Sequence, residues 1–230
     1  MLITALSQFR DNPPAFFAFL IASMAALVAG LSFHEFSHAW SANQMGDDTA
    51  KRAGRLTLNP LKHLDPMGTV LMFVAGFGFA RPTPVNPYRL RPGPVKGRAL
   101  VAAAGPLSNF LIAAIAIIPL RLGLFDAPTS LNQIGNASGS ELVGLGLVFL
   151  VFLNVTLAVF NLIPIPPLDG FDVMLGIIPS ALRQQIEPLR QYGPAGIIIL
   201  LILPLATGGA INPLGAILRP MLDAVFRLIA

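Results

Sequence analysis

The stretch HEFSH, His34 to His38, lies near the end of an apolar run over residues 15–42 that reads AFFAFLIASMAALVAGLSFHEFSHAWSA. At about 1.5 Å per residue, a helix over this run is long enough to cross the roughly 30 Å hydrocarbon layer of a bilayer. Two imidazoles four residues apart face the same side of a helix, so both can bind one metal ion while Glu35 lies beside them. The stretch therefore predicts a membrane helix with a metal site near one end.

The composition of the whole chain is typical of a membrane protein. Residues 1–230 suit a single domain, in which we expect a core over residues 15–175 and C-terminal helices over residues 176–230. Hydrophobic residues make up 54% of the chain and the mean hydropathy is +0.71, far above soluble averages. The basic residues cluster between apolar segments and form no Lys/Arg-rich arm, so we expect no nucleic-acid partner. The absence of cysteine excludes disulfides and thiol ligands.

Five further apolar segments define the predicted fold class. Residues 99–120 and 142–162 are each long enough to span a bilayer. Residues 67–80 are few for a span, which favours a re-entrant or interfacial segment. Residues 195–206 are short but strongly apolar, and residues 213–229 carry a polar stripe, so this last helix either lies in the interface or completes a span. We therefore predict an all-α polytopic membrane protein, a bundle of about five to six transmembrane helices.

Two segments between these helices are predicted to be extended. The alternation in RLTLNP, residues 55–60, indicates a short strand. Residues 81–98, RPTPVNPYRLRPGPVKGR, are too rich in proline for a helix interior and are typical of an extended loop or an edge strand. Such an edge avoids aggregation, and it can also receive an extended peptide as an added strand.

The basic residues predict the orientation of the chain. Nine of the fifteen lie between Lys51 and Arg98, on both sides of residues 67–80. If residues 67–80 dip into the membrane and return, this whole basic region stays on one side, which the positive-inside rule makes cytoplasmic. We therefore expect HEFSH and LDGFDV, residues 168–173, near the cytoplasmic ends of their helices, in a bacterial inner membrane. Both stretches would then contribute to one site.

A catalytic zinc ion typically has three protein ligands and a carboxylate close by that takes a proton from water. His34 and His38 supply two ligands and Glu35 supplies the base. The third ligand must come from elsewhere, and the candidates are His63 and Asp169. Asp169 is favoured because an unpaired carboxylate at membrane depth is costly unless a metal compensates it, whereas His63 is expected in a basic, wet loop.

Less specific explanations exist for the same residues. The histidines and Glu35 can form a hydrogen-bond cluster between helices or a proton relay, and Asp169 can cap a helix that starts at Gly170. A cation transporter or channel would use the same cluster in another way, but a single dense polar cluster without an inverted repeat argues against it. An inactive scaffold would be expected to lack a ligand or the base, and both are present.

Five motifs carry a resemblance to a known family: HEFSHA, NPLKHLDPMGT, PTPVNP, AGPLSNF and NLIPIPPLDG, spread over residues 30–173. Together they resemble the site-2 protease family of intramembrane zinc metalloproteases, in its short form without a PDZ or CBS domain. The resemblance implies one zinc ion held by His34, His38 and Asp169, with Glu35 as the general base. It also implies that Asn161 binds the substrate or stabilises the oxyanion, and that a small membrane-associated β element accompanies the helices. The alternative for Asn161 is a helix-terminal amide that satisfies nearby backbone.

The expected reaction is hydrolysis of a peptide bond within or near the membrane. Peptide bonds of a transmembrane helix are already hydrogen-bonded, so a substrate should unwind locally before water attacks its carbonyl. The expected partners are a single-span membrane protein or a signal-peptide remnant as substrate, and membrane lipid. Self-association into a homo-oligomer is left open.

Overall fold

The computed structural model describes residues 12–65, 68, 80–127, 131–134 and 137–229. Helices dominate this part of the chain. In chain order they are α1 (Pro13–Gln44), α2 (Thr49–Arg52), α3 (Pro94–Arg121), α4 (Leu131–Ile134), α5 (Gly139–Asn161), α6 (Asp169–Ile177), α7 (Ser180–Ile186), α8 (Gly193–Ala206) and α9 (Pro213–Ile229). Short 3-10 helices cover Pro60–Lys62, Pro87–Arg89 and Glu187–Tyr192.

Local signals account for the starts of the long helices. The Asn12 side chain accepts the Ala15 N–H at 3.2 Å ahead of α1. Ser138 and Glu141 form a reciprocal capping box at the start of α5. Helix α3 begins at Pro94, five residues before the predicted segment, because a proline in the first turn has no N–H to lose and its φ already suits a helix. The prediction of extended chain over residues 94–98 was therefore wrong.

Helices α1, α3 and α5 pack against one another and form the centre of the molecule. Small and β-branched residues fill the contact between α3 and α5, and Val225 of α9 joins them. Apolar side chains on the opposite faces stay exposed, as expected for lipid-facing surfaces; they include Phe17, Ile21, Leu111 and Ile115. The predicted membrane helices at residues 15–42, 99–120 and 142–162 are thus confirmed in type and position.

The number of helices that are long and apolar enough to cross a membrane is three in the described residues. It becomes four if Ser180–Tyr192 and Ala195–Ala206, bent by 70°, count as one broken span. The count of five to six stays a prediction, and most of residues 67–80 lie outside the described residues. Helix α9 exposes its polar stripe of Arg219, Asp223 and Arg227.

The described residues contain no β-strand. Their only ladder contact is an isolated antiparallel bridge between Leu64 and Ala80. The strand expected at residues 55–60 was wrong: the Asn59 side chain accepts the Leu61 N–H at 3.0 Å and starts a 3-10 turn instead. Residues 81–86 have no regular secondary structure and pair with no strand among the described residues. Pro82 and Pro84 also lack the N–H groups that a ladder needs.

Candidate metal centre

The two histidines of HEFSH lie in the last part of α1 and point into the helix bundle. Their side chains are buried, and their ring centroids are 4.6 Å apart in an edge-to-face arrangement. The i, i+4 spacing brings both rings onto the helix face that packs against α3. The pair is therefore fixed within the protein interior.

Asp169 reaches the histidines from the opposite side of the centre, as the first residue of α6. Its Oδ2 lies 3.1 Å from His34 Nε2 and 3.3 Å from His38 Nε2. The helix N-cap is Leu168, without a side-chain cap, so Asp169 does not have the capping role that was its alternative explanation. A Cβ at Gly170 would lie 2.1 Å from the Leu162 carbonyl oxygen, so only glycine allows α6 to start this close to the end of α5.

These three side chains fit a zinc ion. Ligand atoms about 2.0–2.1 Å from a tetrahedral zinc lie roughly 3.3 Å from one another, close to the two distances observed here. The ligand atoms of His34, His38 and Asp169 all lie within 4.8 Å of one another, and they form the one such group of at least three residues among the described residues. Asp169 Oδ2 is buried without a hydrogen-bond partner, and a cation would compensate this orphaned oxygen.

Hydrogen bonds on the far side of each ring direct the histidine lone pairs towards Asp169. His38 Nδ1 lies 2.7 Å from the carbonyl oxygen of Val101, which can only accept, so Nδ1 carries the proton and Nε2 keeps its lone pair. His34 Nδ1 lies 2.6 Å from Asn109 Oδ1. Such partners orient a metal ligand and raise its basicity.

The orientation of the Asn109 amide follows from its other contacts. Asn109 Nδ2 donates to the carbonyl oxygen of Gly30 at 3.0 Å and to Asn154 Oδ1 at 2.7 Å. Asn154 Nδ2 donates in turn to the Leu150 carbonyl oxygen at 2.8 Å. Because the backbone carbonyls only accept, Asn109 must present its oxygen to His34. His34 Nδ1 therefore carries the proton and donates to Asn109 Oδ1. A buried amide chain thus joins α1, α3 and α5 behind one ligand.

Gly105 of α3 provides the space for both rings. A Cβ built at this position would lie 2.4 Å from His38 Nε2 and 2.7 Å from His34 Cε1. The residues just before it, Ala102 to Ala104, are small as well, and small residues let helices approach closely in lipid. In the structure the close approach is between the α3 backbone and the imidazoles themselves.

Glu35 lies beside the ligands on the wall of the same cavity. Its side chain is 8% exposed and accepts two hydrogen bonds from Thr83, a residue of the proline-rich segment. The cavity has a volume of about 480 Å³ and is lined by apolar groups of four helices as well as by the polar centre. An acidic side chain is therefore available next to the three ligands in largely apolar surroundings.

Two other residues that the sequence analysis considered, Asn161 and His63, are not among the three grouped ligands. Asn161 ends α5 and lines the cavity, and its Nδ2 donates to the Leu157 carbonyl oxygen at 2.9 Å, as the helix-terminal alternative expects. His63 is fully buried rather than in a wet loop, its Nε2 lies 2.7 Å from the Thr57 carbonyl oxygen, and it is not part of the ligand group. The wet-loop expectation failed because the prediction used local charge and could not see the packing over this turn.

Sequence reasoning assigned no function to Thr83, Asn109 or Asn154, although Thr83 and Asn109 lie in the motifs PTPVNP and AGPLSNF. Asn109 contacts residues 45 to 79 positions away in the chain, so no local pattern could have identified those partners. A general signal was available, since a buried amide in a membrane helix must find a hydrogen-bond partner.

Two histidines and an aspartate that can hold one metal ion, flanked by a glutamate and packed among helices long enough to cross a membrane, are the arrangement of a membrane zinc metalloprotease. Residues 22–204 match the profile of Peptidase family M50, and the chain belongs to this family. The resemblance to site-2 proteases is thereby confirmed. The chain is an integral membrane protein of a zinc metalloprotease family.

Several relatives are named as zinc metalloproteases. The chain is 38% identical over 227 residues to YwhC of Bacillus subtilis (strain 168), covering 95% of this chain and 92% of the relative. It is 30% identical to Rip2 of Mycolicibacterium smegmatis, over 84% of this chain and 71% of that protein. A Methanocaldococcus jannaschii protein is 32% identical over 67% of this chain and 69% of its own length. No solved structure matches the chain.

Proposed function

We propose that this chain is an intramembrane zinc endopeptidase of the regulated intramembrane proteolysis type. The substrate would be a single-span membrane protein or a signal-peptide remnant, cleaved in or near its transmembrane segment. One observation carries this proposal: three convergent ligand atoms and a neighbouring carboxylate are enclosed by helices long enough to cross a membrane. A soluble metalloprotease would place the same motif beside an open cleft.

Each polar residue of the centre has a distinct role in the proposed reaction. Zinc held by His34, His38 and Asp169 would supply a positive charge that polarises the scissile carbonyl and lowers the pKa of water to about 7. Glu35 takes the proton of the attacking water and returns it to the leaving amine. Asn161, on the cavity wall, donates one amide N–H to the substrate carbonyl, while the other N–H of the same group stays on the Leu157 carbonyl oxygen.

The apolar lining of the cavity bears on how a substrate enters. Leu31, Leu157, Phe160, Ile197 and Leu201 are among the lining residues, and they suit the side chains of a transmembrane segment. The peptide bond to be cleaved must give up its helical hydrogen bonds before the carbonyl can reach the centre. We therefore propose a locally unwound substrate, with its apolar side chains against this wall.

The proline-rich segment offers fewer backbone donors to such a substrate than its sequence suggested. Pro82 and Pro84 have no N–H, Thr83 N–H donates to Glu35, and Asn86 N–H donates to Asp47. Val85 is thus the residue of this stretch whose N–H makes no hydrogen bond within the described part of the chain. Pairing of an added strand, if it occurs here, depends on Val85 N–H and on the carbonyl oxygens.

The proposal includes the membrane setting. The basic residues between Lys51 and Arg98 support a cytoplasmic location for the centre, in a bacterial inner membrane. We propose one domain over residues 1–230, with five to six crossings and a small β element that includes the Leu64–Ala80 bridge. Membrane lipid surrounds the exposed apolar faces, and a homo-oligomer is compatible with them.

The central test separates metal binding from catalysis. Glu35→Gln is expected to retain one zinc per chain and to lose cleavage of a reconstituted single-span substrate, because the amide cannot take the proton. Asp169→Ala is expected to lower the affinity for zinc by more than about 100-fold, because it removes a ligand. Loss of a group that only orients a ligand lowers metal affinity by up to about 100-fold. Zinc is measured by elemental analysis of purified protein, and cleavage by gel electrophoresis.

Glu187→Gln serves as the matched control, since Glu187 is an exposed acid outside the cavity of the metal centre. Full zinc content in Asp169→Ala would remove Asp169 from the ligand set. Cleavage by Glu35→Gln at the wild-type rate would overturn the catalytic role. Cation flux into proteoliposomes without cleavage by the wild-type protein would favour the transporter instead.

A further inference from the structure

Thr83 makes the hydrogen bonds that hold the Glu35 carboxylate. Its backbone N–H donates to Glu35 Oε2 at 3.0 Å, and its hydroxyl donates to the same oxygen at 2.7 Å. The hydroxyl also lies 3.2 Å from the Glu35 carbonyl oxygen. Among the described residues, no other group hydrogen-bonds this carboxylate, and none uses Oε1. One oxygen of the acid is therefore held by two donors, and the other is left for a water molecule.

The residue that holds the acid is itself held on both sides. Asn86 N–H donates to Asp47 Oδ2 at 2.6 Å, and Arg81 N–H donates to the His63 carbonyl oxygen at 2.8 Å. Asp47 is fully buried and follows the end of α1. The prolines that flank Thr83 restrict the backbone further. Residues 81–86 are thus attached to the protein at both ends, with the Glu35 contact between them.

A glutamate without such a contact rotates about three side-chain bonds, and few of its conformations place an oxygen where a base is needed. Two donors on Oε2 remove most of this freedom. Both donors bind Oε2, so they leave Oε1 open. The contact links a helical residue to a residue 48 positions later in the chain, so it depends on tertiary structure alone.

We propose that Thr83 is a positioning residue for the general base, which rests on the proposed function of Glu35. Its hydroxyl fixes Oε2, so that Oε1 faces the attacking water in every turnover. Removing the hydroxyl should therefore lower kcat by about tenfold, a fraction of the 10²–10⁴ that a general base contributes. KM and zinc content should change little, because the Thr83 hydroxyl is bonded to Glu35 and contacts neither the substrate nor the metal in this account.

The first experiment compares Thr83→Val, Thr83→Ser and wild type for zinc content, kcat and KM on a reconstituted single-span substrate. Valine has nearly the same shape without the hydroxyl, and serine restores the hydroxyl, so we expect kcat to fall in the first and recover in the second. Thr156→Val is the matched control, since the Thr156 hydroxyl donates only to the Phe152 carbonyl oxygen of its own helix. A fall of kcat in Thr83→Ser equal to that in Thr83→Val would overturn the proposal, as would wild-type kcat in Thr83→Val.

The second experiment does not use turnover. A peptide hydroxamate binds zinc and hydrogen-bonds a neighbouring carboxylate, so its affinity reports whether Glu35 is in place. Thr83→Val should weaken this binding severalfold in the wild-type background and leave it unchanged in a Glu35→Ala background. Equal weakening in both backgrounds would show that Thr83 acts independently of Glu35. If Thr83→Val does not fold, Thr83→Ala replaces it in both experiments with the same expected results.

Together with cleavage by Glu35→Gln, the two experiments separate this inference from the proposed function. If Glu35→Gln cleaves at the wild-type rate, the catalytic role of Glu35 is wrong and the positioning role falls with it. If Glu35→Gln is inactive while Thr83→Val has wild-type kcat and hydroxamate affinity, Glu35 keeps its role as general base and only the role of Thr83 is overturned.

Discussion

The metal ligands and the general base of this protein are adjacent in space, but different kinds of structure hold them in place. His34 and His38 are oriented by groups on α3, a buried amide and a backbone carbonyl. Glu35 is oriented by Thr83 on a non-helical segment at the edge of the cavity. Helix-borne contacts inside a packed bundle are rigid, whereas a segment attached at two ends can move as a unit. Metal binding and base placement should therefore be separable by mutation.

Gly105→Ala should have the largest effect on the ligand side among changes that leave the ligands themselves intact. The new Cβ would lie 2.4 Å from His38 Nε2, against an atom that cannot move without leaving the metal. We expect zinc affinity to fall by about 100-fold or more, measured by competition with a chelator.

Gly146→Ala is the control for this change, because Gly146 lies in helix α5 with nothing within 4 Å of the added Cβ. It should bind zinc as wild type does and gain slightly in stability from the better helix former. Wild-type zinc affinity in Gly105→Ala would show that the imidazoles tolerate displacement, and the rigid description of the ligand side would be wrong.

Asn109→Leu should have the second-largest effect. It removes the partner that fixes the His34 ring and leaves the Asn154 amide without its donor in the core. Zinc affinity is expected to fall by about 10–100-fold, the usual range for groups that orient metal ligands. The neighbouring Ser108→Ala, which removes a hydrogen bond to the Gly105 carbonyl oxygen only, should retain wild-type affinity. If zinc affinity falls no more in Asn109→Leu than in Ser108→Ala, the role of the buried amide chain in orienting His34 is contradicted.

Asp47→Asn tests the other side of the comparison and should have the smallest effect. The amide keeps one acceptor oxygen. With that oxygen facing the N–H and hydroxyl of Thr49, its NH2 meets the N–H of Asn86, which weakens the attachment of residues 81–86. We expect cleavage to fall severalfold through misplacement of Glu35, while zinc affinity stays at the wild-type value. A parallel loss of zinc would show that the two halves of the site are not independent.

Asp48→Asn is the control for that variant. Asp48 is adjacent in the chain but pairs only with Arg52 and Arg89 in exposed salt bridges. Such surface pairs contribute little, so cleavage should be unchanged.

Local patterns were sufficient for the three long helices and for two of the ligands. Apolar runs of membrane length predicted α1, α3 and α5, and the i, i+4 spacing placed His34 and His38 on one face. Asp169 required a less local argument, that a carboxylate at membrane depth needs a cation, and the structure places it within 3.3 Å of both histidines. Each of these inferences depends only on one segment of the chain and on whether water or lipid surrounds it.

The errors came from segments whose structure depends on distant contacts. His63 was expected in water because its neighbours in the chain are basic, yet it is completely buried. Residues 55–60 alternate like a strand, but they have no strand to pair with in the described part of the chain. Residues 55–59 are irregular, and a 3-10 helix begins at Pro60. Alternation predicts a strand only when a partner edge exists, and a single segment carries no information about that partner.

The sequence by itself determined the membrane environment, the main helices, the family and the chemistry of the candidate ligands, because hydrophobic length and helical spacing are properties of short stretches. Only the tertiary structure decided how those groups are held. Three contacts join residues far apart in the chain: the Gly105 backbone lies against the imidazoles, the amide chain runs from Asn154 to His34, and Thr83 hydrogen-bonds Glu35. Hydrogen bonds act over about 3 Å, so they exist only after packing has brought these elements together.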